Sequence, residues 1–299
     1  MKLIIKNVIK DLIKLRSEEN IEFKLEQLDF HIEFREWYFK IINDLNFDYN
    51  RDYRARDYLS KVLNLKANEW HLDEILFSFQ KRIQTKSNIF IYGCGPSLEE
   101  TVNYIIDNLG MSFFGKSINL AADGAAVFLK EKLIPVDAIF TDLDGITISE
   151  FNYPDFLIIH AHGDNIKKIR SFKKNIIQFN NIIGTTQVEP NMNVINPGGF
   201  TDGDRILFFL RTMLAPVNKL FLFGMDFKKI VGKYSKLNIK KDKEGNPIKQ
   251  KKLQYAVELI EWLRLKLDNE ITFVNSQIKL NNFKNLTLEE FVGNYKSLS

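Results

Sequence analysis

Two patterns of apolar positions divide this chain. Over the first 85 residues apolar side chains recur three or four positions apart, and no Gly or Pro interrupts them, which is typical of α-helices. Helices are predicted at about 30–43, 51–65 and 70–83. From about residue 87 the apolar runs become short and alternate with turns. The pattern therefore predicts a helical N-terminal region, residues 1–86, followed by an α/β domain, residues 87–299.

Short apolar runs in the second region are typical of strands buried in a sheet. They lie at 88–92, 117–121, 136–140, 156–160, 176–179, 193–195, 219–223 and 271–274. Helices are predicted between them, including one from Ser97, one at 202–214 and one at 253–267. Strands that alternate with helices indicate a mainly parallel, Rossmann-like sheet with flanking helices.

Gly and Asp residues cluster where the predicted strands end. In an open parallel sheet, ligands bind outside the carboxyl ends of the strands, and these ends share one edge. Five segments are therefore expected to converge there: 93–97, 122–124, 141–145, 160–165 and 198–204.

Asp142 and Asp144 give the sharpest chemical signal. They are two positions apart at a strand end, where their side chains can point the same way. Neighbouring carboxylates repel each other unless a proton or a cation lies between them. Mg²⁺ binds a few carboxylates together with waters and substrate phosphates. We expect metal or ligand contact here, and the alternative is a solvated turn that caps a helix.

The segment 93–97 lies between a strand and a helix. Gly93, Gly95, Pro96 and Ser97 form a turn whose exposed N–H groups would suit a phosphate. The turn matches neither the dinucleotide glycine fingerprint nor the P-loop. Ser97 and Glu100 have the spacing of a helix-capping box. The alternative is an ordinary turn between strand and helix.

Two further strand ends carry candidate ligands. His160 and His162 share one loop with Asp164 and Asn165, although the chain has 4 His in total. A zinc site would need further ligands, so hydrogen bonding or phosphate contact is the preferred interpretation, with His160 as a packed strand residue.

Asp202 and Asp204 lie at the predicted start of a helix, next to Arg205. Acidic residues there also favour the helix dipole, so capping is the alternative to ligand binding. Arg205 is a candidate phosphate contact. Asp226, after the strand at 219–223, is a weaker candidate.

Charge is unevenly distributed along the chain. The net charge is +4, but residues 228–252 contain ten lysines and two acidic residues, so the rest of the chain is acidic overall. A general nucleic-acid role is not indicated, and a polyanionic ligand beside a carboxylate-bound cation is. The lysine-rich segment is predicted to be a mobile loop or small excursion, with the capacity to close over a triphosphate.

The compartment follows from cysteine and apolar content. Cys94 is the single cysteine, which fits a reducing environment. No apolar run approaches the roughly 18 residues that span a bilayer, and residues 1–20 lack the apolar core of a signal peptide. We expect a cytoplasmic protein without a membrane or nucleic-acid partner, and its oligomeric state is left open.

Several ordered motifs resemble a known family. Ala-Ala-Asp-Gly-Ala-Ala at 121–126 and the stretch 135–145, which ends in Thr-Asp-Leu-Asp-Gly, resemble thiamine pyrophosphokinases. The motifs at 95–98, 160–165 and 199–205 make the chain more similar to the archaeal 6-hydroxymethyl-7,8-dihydropterin pyrophosphokinases. The similarity covers roughly residues 88–275. One departure from the thiamine pattern is Gly145, where Ser is common.

The resemblance implies a reaction in which ATP and a pterin alcohol give AMP and the pterin diphosphate, with Mg²⁺. It implies that Asp123, Asp142 and Asp144 hold the metal. His162 would act in catalysis, with His162 and Asp142 both open as the base. Nucleotide or substrate contacts would come from Gly93, Gly95, Pro96, Ser97, Asp123, Gly124, Asp164, Asn165, Thr201, Asp202, Asp204 and Arg205, with Asn165, Asn196 and Phe200 beside the pterin ring.

Three alternatives remain open at this stage. The acceptor alcohol is thiamine or another small alcohol in the first. The second is a glycosyltransferase-like protein that uses a nucleotide sugar, in which paired aspartates also bind a metal. The third is a scaffold whose aspartates only cap helices.

Overall fold

A nine-stranded sheet is the centre of the computed structural model, which describes residues 28–67, 70–276 and 278–296. Its strands are β1 (Asn88–Tyr92), β2 (Ile118–Ala122), β3 (Ala138–Thr141), β4 (Phe156–Ala161), β5 (Ile182–Thr186), β6 (Val194–Ile195), β7 (Lys219–Phe223), β10 (Ile271–Val274) and β11 (Lys284–Leu286). The short strands β8 (Ile230–Val231) and β9 (Lys243–Glu244) pair separately and antiparallel. The order of the large sheet is β11-β10-β7-β1-β2-β3-β4-β5-β6.

Neighbouring strands of the large sheet are parallel throughout. Their carboxyl ends therefore lie along one edge, as predicted. The chain runs outward from β1 to β6 and then returns to β7 on the other side of β1. This reversal creates a topological switch point, and the crevice between the loops after β1 and β7 is where such sheets bind ligands.

Helices cover both faces of the sheet. They are α1 (His31–Asp44), α2 (Tyr49–Leu63), α3 (Leu72–Ile83), α4 (Leu98–Leu109), α5 (Ala125–Glu131), α6 (Ile148–Phe151), α7 (Ile166–Ser171), α8 (Lys173–Gln178), α9 (Asp202–Leu210), α10 (Pro247–Arg264) and α11 (Leu288–Lys296). Alternate strand residues enter two cores, Ile89 and Ile91 in one and Phe90 and Tyr92 in the other. The first core contains α1, α3, α9 and α10, and the second contains α2 and the remaining helices.

One predicted strand is wrong. Residues 176–179 belong mostly to α8, and the strand β5 follows at Ile182–Thr186. Ile169, Phe172 and Ile176 are buried at spacings of three and four, so the run at 176 continues the apolar face of a helix. The other predicted strands are confirmed to within two residues at either end.

Three helix ends differ from prediction by three residues or more. α9 ends at Leu210 rather than at 214, and α10 begins at Pro247 rather than at 253 and ends at Arg264 rather than at 267. Asn246 caps α10 by accepting a hydrogen bond from Lys249 N at 2.8 Å, and Pro is favoured in the first turn.

The lysine-rich segment, here called the basic excursion (residues 228–252), has its own secondary structure. It contains the β8–β9 pair, a short 3₁₀ helix at Lys233–Ser235 and the start of α10. It packs closely on the carboxyl edge of the sheet, because a Cβ added at Gly124 would collide with Tyr234 O and one at Gly232 with Cys94 O. The Tyr234 ring also lies 5.2 Å from the ring of Phe128.

Two sequence expectations concerned membranes. None of the helices in the described part of the chain combines the length and the apolar character that crossing a bilayer requires. The expectation about a signal peptide rests on residues 1–20, which lie outside the described residues.

Replacing Gly124 by Ala should destabilise the protein. The new methyl group would overlap the Tyr234 backbone, so the basic excursion must shift, which typically costs about 1–3 kcal/mol. Urea unfolding measures the free energy of unfolding. Gly293→Ala is the matched control, because it lies within α11 with nothing within 4 Å, and we expect a gain of roughly 0.5–1 kcal/mol there. Equal stability of the two variants would contradict the packing described.

Candidate active site

Three carboxylates converge at the carboxyl edge of the sheet. Asp123 follows β2, Asp142 follows β3, and Asp202 lies in the first turn of α9. One oxygen of each lies within 4.8 Å of an oxygen of the other two. We call this group the acidic triad.

Burial and mutual repulsion dominate the electrostatics of the acidic triad. Burial, and then the charge of Asp142, raise the pKa of Asp123 well above its ordinary value. The same two causes raise the pKa of Asp202 to about 7, against the opposing effect of Arg205. Burial also acts to raise the pKa of Asp142, but the hydrogen bond and charge of His162 hold it well below its ordinary value.

The acidic triad fits a hard divalent cation. Carboxylate oxygens from three separate loops are held close together although their charges repel, and Mg²⁺ binds such oxygens. A cation between them would remove the repulsion that raises the pKa values of Asp123 and Asp202.

Asp144 lies outside the acidic triad, although the resemblance implied that it holds the metal. Its Oδ2 forms an ion pair with Lys236 Nζ at 2.7 Å, and its backbone N–H donates a hydrogen bond to Asp142 Oδ1 at 3.1 Å. Leu143, between the two aspartates, has a φ of +72°. This left-handed residue breaks the alternation of an extended strand, and the Asp144 carboxylate pairs with Lys236 while it stays close to Asp142. Asp202 takes the third position instead.

The backbone around Asp123 is unusually constrained. Asp123 has a φ of +44°, and its carboxylate accepts a hydrogen bond from Thr141 Oγ1 at 2.5 Å. A Cβ at Gly145 would collide with Asp123 Oδ2 and lie 2.9 Å from Gly124 N. Gly145 stands where thiamine pyrophosphokinases commonly have Ser. This difference has a steric cause, since a side chain at Gly145 would displace the Asp123 carboxylate. Strain of this kind persists only where the surroundings enforce it.

Asn165 positions the loop after β4. It is buried, its Nδ2 donates to His160 O at 2.6 Å and to Asp142 O at 3.0 Å, and its Oδ1 accepts from His162 N at 3.1 Å. These bonds commit its amide to the protein rather than to a ligand. They also hold His162, whose Nε2 lies 3.1 Å from Asp142 Oδ2.

The other members of this loop differ in exposure. His160 is packed within β4, as expected, and its Nδ1 lies 3.2 Å from Thr185 Oγ1. Burial, and then the charge of Arg205, hold the pKa of His160 well below its ordinary value. Asp164 is exposed and pairs with Arg51 at 3.0 Å.

Asp204 is a helix cap. It is fully buried, and its carboxylate accepts hydrogen bonds from Phe200 N at 2.7 Å, from Thr201 N at 2.6 Å and from the Thr201 hydroxyl. The capping alternative is therefore confirmed for Asp204. Arg205 is buried beside it, with Nη2 donating to Phe200 O at 3.0 Å and Nη1 lying 3.4 Å from Asp202 Oδ1.

The turn after β1 is held by the turn after β7. Gly93 N donates to Phe223 O at 2.8 Å, and Gly95 N donates to Gly224 O at 2.7 Å. Ser97 donates from N and from Oγ to the Asp226 carboxylate, both at 2.9 Å. The expectation of exposed N–H groups is therefore wrong for these three residues, and so is the Ser97 capping box. Close approach of the turns explains Gly93, because an added Cβ would lie 2.6 Å from Gly224 O.

Two adjoining cavities meet at the acidic triad. The switch-point cavity, of about 100 Å³, lies between the turns after β1 and β7 and includes Gly93, Cys94, Gly95, Met225, Asp226, Phe227 and Val231. The polar cleft, of about 360 Å³, includes Arg51, Asp52, Asp142, Asp144, His160, His162, Asp164, Gln187, Phe200, Arg205, Lys236 and Lys252. Both are lined by Asp123, Thr201, Asp202, Ser235 and Lys249. Pro96, Ser97, Gly124, Asn165 and Asp204 line neither cavity.

Several residues of the polar cleft were not predicted from the sequence. Asp52 and Gln187 are buried in it, and Lys236, Lys249 and Lys252 reach it from the basic excursion. Asp52 did carry a signal, because it shares the buried face of α2 with apolar side chains three and seven positions later. Asn196, considered for the pterin ring, instead bonds Val188 O and Gly198 N.

Removing divalent cations should make stability fall as pH rises. Asp202 keeps its proton in the folded protein to about pH 7, whereas its ordinary pKa is 3.8. The folded state therefore binds more protons between these values, and its advantage is lost as pH rises from about 4 to 7. Urea unfolding in EDTA should show this decline, and Asp202→Asn or added Mg²⁺ should flatten it. An unchanged slope in both cases would contradict the convergence of the acidic triad.

Comparison with known proteins places the chain in a family. The family model described as 6-hydroxymethylpterin diphosphokinase MptE-like matches residues 60–231, more than half of the chain. A 6-hydroxymethyl-7,8-dihydropterin pyrophosphokinase of Methanocaldococcus jannaschii is 38% identical over 252 residues, 80% of this chain and 99% of the relative. Enzymes with the same name from Pyrococcus furiosus and Methanothermobacter thermautotrophicus are each 34% identical, covering 78% and 76% of this chain and 93% and 92% of their own lengths. The resemblance found in the sequence is thereby confirmed, and the chain belongs to the MptE-like 6-hydroxymethylpterin diphosphokinase family.

Proposed function

We propose that this chain is an ATP-dependent 6-hydroxymethyl-7,8-dihydropterin pyrophosphokinase, which forms AMP and the pterin diphosphate. The names of its relatives support this acceptor. The single structural observation that carries the proposal is the acidic triad, which lies between two cavities and beside several lysines. In this proposal the acidic triad would hold a cation, and the two cavities beside it would take the polyphosphate and the two organic groups.

The metal proposed for the site is Mg²⁺, held by Asp123, Asp142 and Asp202. When bound, it would supply charge neutralisation on the phosphate oxygens. His162 keeps Asp142 ionised and oriented, while Thr141 orients Asp123. Lys236 and the left-handed turn at Leu143 hold a further carboxylate, that of Asp144, close to this group.

Cationic side chains of the polar cleft would bind the phosphates. Lys249 lines both cavities, and Lys236 and Lys252 line the polar cleft. Neither Lys249 nor Lys252 makes an ion pair with any described residue. Burial, and then the charge of Lys249, lower the pKa of Lys252. A bound polyphosphate would supply negative charge to these ammonium groups and would relieve the repulsion between them.

The two cavities suit a displacement in line. The acceptor hydroxyl oxygen bonds the β-phosphorus while the bond from that phosphorus to the α–β bridging oxygen breaks, so AMP leaves with that oxygen. Entering and leaving groups must then lie on opposite sides of the β-phosphate. We place the nucleoside toward the switch-point cavity, the usual nucleotide position in such sheets, and the acceptor in the polar cleft. Positioning and electrostatic stabilisation account for most of the catalysis in such transfers.

The co-substrate, the acceptor and the cellular location follow from the proposed reaction. ATP is the co-substrate, a pterin alcohol is the acceptor, and an intracellular supply of both favours a cytoplasmic location. His162 and Asp142 remain the two proposed acceptors of the hydroxyl proton.

Purified protein with ATP, Mg²⁺ and 6-hydroxymethyl-7,8-dihydropterin should release AMP in step with the pterin diphosphate. Chromatography of the nucleotides separates AMP from ADP, and ADP would indicate transfer of a single phosphate. Thiamine and other alcohols serve as competing acceptors. Turnover with thiamine alone, or nucleotide-sugar binding without AMP release, would overturn the proposal in favour of one of the alternatives.

Asp142→Asn should lower kcat by about a hundredfold or more, because it removes one charge of the acidic triad and the partner of His162. The control is Asp107→Asn, an exposed aspartate in α4 that lines neither cavity. Steady-state AMP release measures kcat for both variants. Similar rates for the two would indicate that the carboxylates serve only structure.

Lys249→Met should raise KM for ATP about tenfold or more and leave KM for the acceptor nearly unchanged, because an ammonium beside phosphate makes charge-assisted hydrogen bonds. Lys241→Met, an exposed lysine of the same basic excursion, is the control. Initial rates at varied ATP give both constants. An unaffected KM for ATP would exclude this lysine from the phosphate site.

A further inference from the structure

Part of the lining of the polar cleft consists of buried polar side chains. Asp52, His160, Gln187 and Arg205 all line it, and each is 6% exposed or less. Charged groups are seldom buried in this way unless they are paired or serve a ligand. Within this group, Arg205 Nε is buried without a hydrogen-bond partner.

Asp52, the carboxylate of this group, is anchored by three hydrogen bonds. Its Oδ2 accepts from Tyr38 Oη at 2.8 Å and from Gln187 Nε2 at 2.7 Å, and its Oδ1 accepts from Gly163 N at 2.6 Å. Three hydrogen bonds leave room for one more, since a carboxylate offers about four lone-pair sites. Asp52 is thus fixed in place with acceptor capacity left over.

Asp52 is also connected to the acidic triad by short contacts. Gly163, which donates to Asp52, directly follows His162, and His162 lies 3.1 Å from Asp142. On the other side, Arg205 interacts with the charge of Asp52 and lies 3.4 Å from Asp202. A group bound at Asp52 would therefore lie next to the site of transfer.

Aromatic side chains supply a flat surface in the same cleft. Phe47 and Phe200 both line it, and Lys252 Nζ lies 5.1 Å from one ring and 5.5 Å from the other. A planar heterocycle gains from stacking on such rings. A polar anchor and aromatic walls together fit a ring system with hydrogen-bonding groups on one edge.

We infer that Asp52, with Gln187 and Arg205 beside it, forms the subsite that binds the heterocycle of the acceptor and selects a 2-amino-4-oxopyrimidine edge. This inference rests on the proposed function and adds the residues that recognise the substrate. The 2-amino group donates to the remaining acceptor site of Asp52, while the 4-oxo group accepts from the cationic or amide donors. A ring with oxygen in place of the 2-amino group would direct an acceptor at the carboxylate, and the site would reject it.

The first test uses the wild-type protein and two acceptors. 6-Hydroxymethyl-7,8-dihydropterin is compared with the corresponding 2,4-dioxo compound, a lumazine, by kcat/KM for AMP release. We expect the lumazine to be poorer by about a hundredfold or more, because a site built to bind an N–H group is left unpaired by its analogue. Equal kcat/KM for the two acceptors would overturn the inference without requiring any variant.

The second test separates binding from structure. Asp52→Asn should raise KM for the pterin by about tenfold to a hundredfold, the usual effect of losing a hydrogen bond to a charged group, and should reduce the preference over the lumazine. KM for ATP should stay near the wild-type value. Tyr38→Phe is the matched control, because it removes one donor to Asp52 without lining the cleft, and it should lower stability while keeping the acceptor preference.

Failure of this inference and failure of the proposed function look different. If wild-type protein turns over the pterin but Asp52→Asn keeps both KM and preference, the subsite is wrong and the function stands. If no AMP forms, the function is wrong, and calorimetric titration with 6-hydroxymethyl-7,8-dihydropterin then decides the subsite. Binding that Asp52→Asn weakens at least tenfold supports it, and no binding or equal binding overturns it.

Discussion

Repulsion among three carboxylates, one buried and two half-buried, is the constraint on which the rest of this site depends. Asp123, Asp142 and Asp202 come from three segments that are far apart in the chain, yet their oxygens are held within 4.8 Å. The parallel sheet brings the three segments together, because its strand ends share one edge. Left-handed backbone at Asp123 and hydrogen bonds from Thr141 and His162 then hold the groups in place. A bound cation would turn this repulsion into attraction.

Cationic side chains from elsewhere in the chain lie close to this negative charge. The basic excursion packs on Gly124 and on the turn at Cys94, so its lysines reach the cleft from a fixed position. Lys236 already pairs with Asp144. The acidic core and the lysine-rich segment, which appear as separate charge patterns in the sequence, therefore form one site.

The helical N-terminal region takes part in this site as well. α2 supplies Asp52 and Arg51 to the polar cleft, and its hydrogen bond to Gly163 connects it with the loop that carries His162. Residues outside the sheet thus shape the space beside the acidic triad. The motifs that carry the family resemblance lie at the strand ends, whereas Asp52, the carboxylate proposed to select the acceptor, comes from this helix.

The sequence alone determined the parallel α/β sheet, the edge that carries the chemistry and two members of the acidic triad, because apolar runs that end in Asp and Gly specify these features locally. Only the tertiary structure decided that Asp202 rather than Asp144 completes the triad, that Ser97 bonds Asp226 instead of capping its helix, and that Asp52 reaches the cleft. Each of these depends on a contact between residues distant in the chain or on one backbone angle, and spacing along a sequence contains neither.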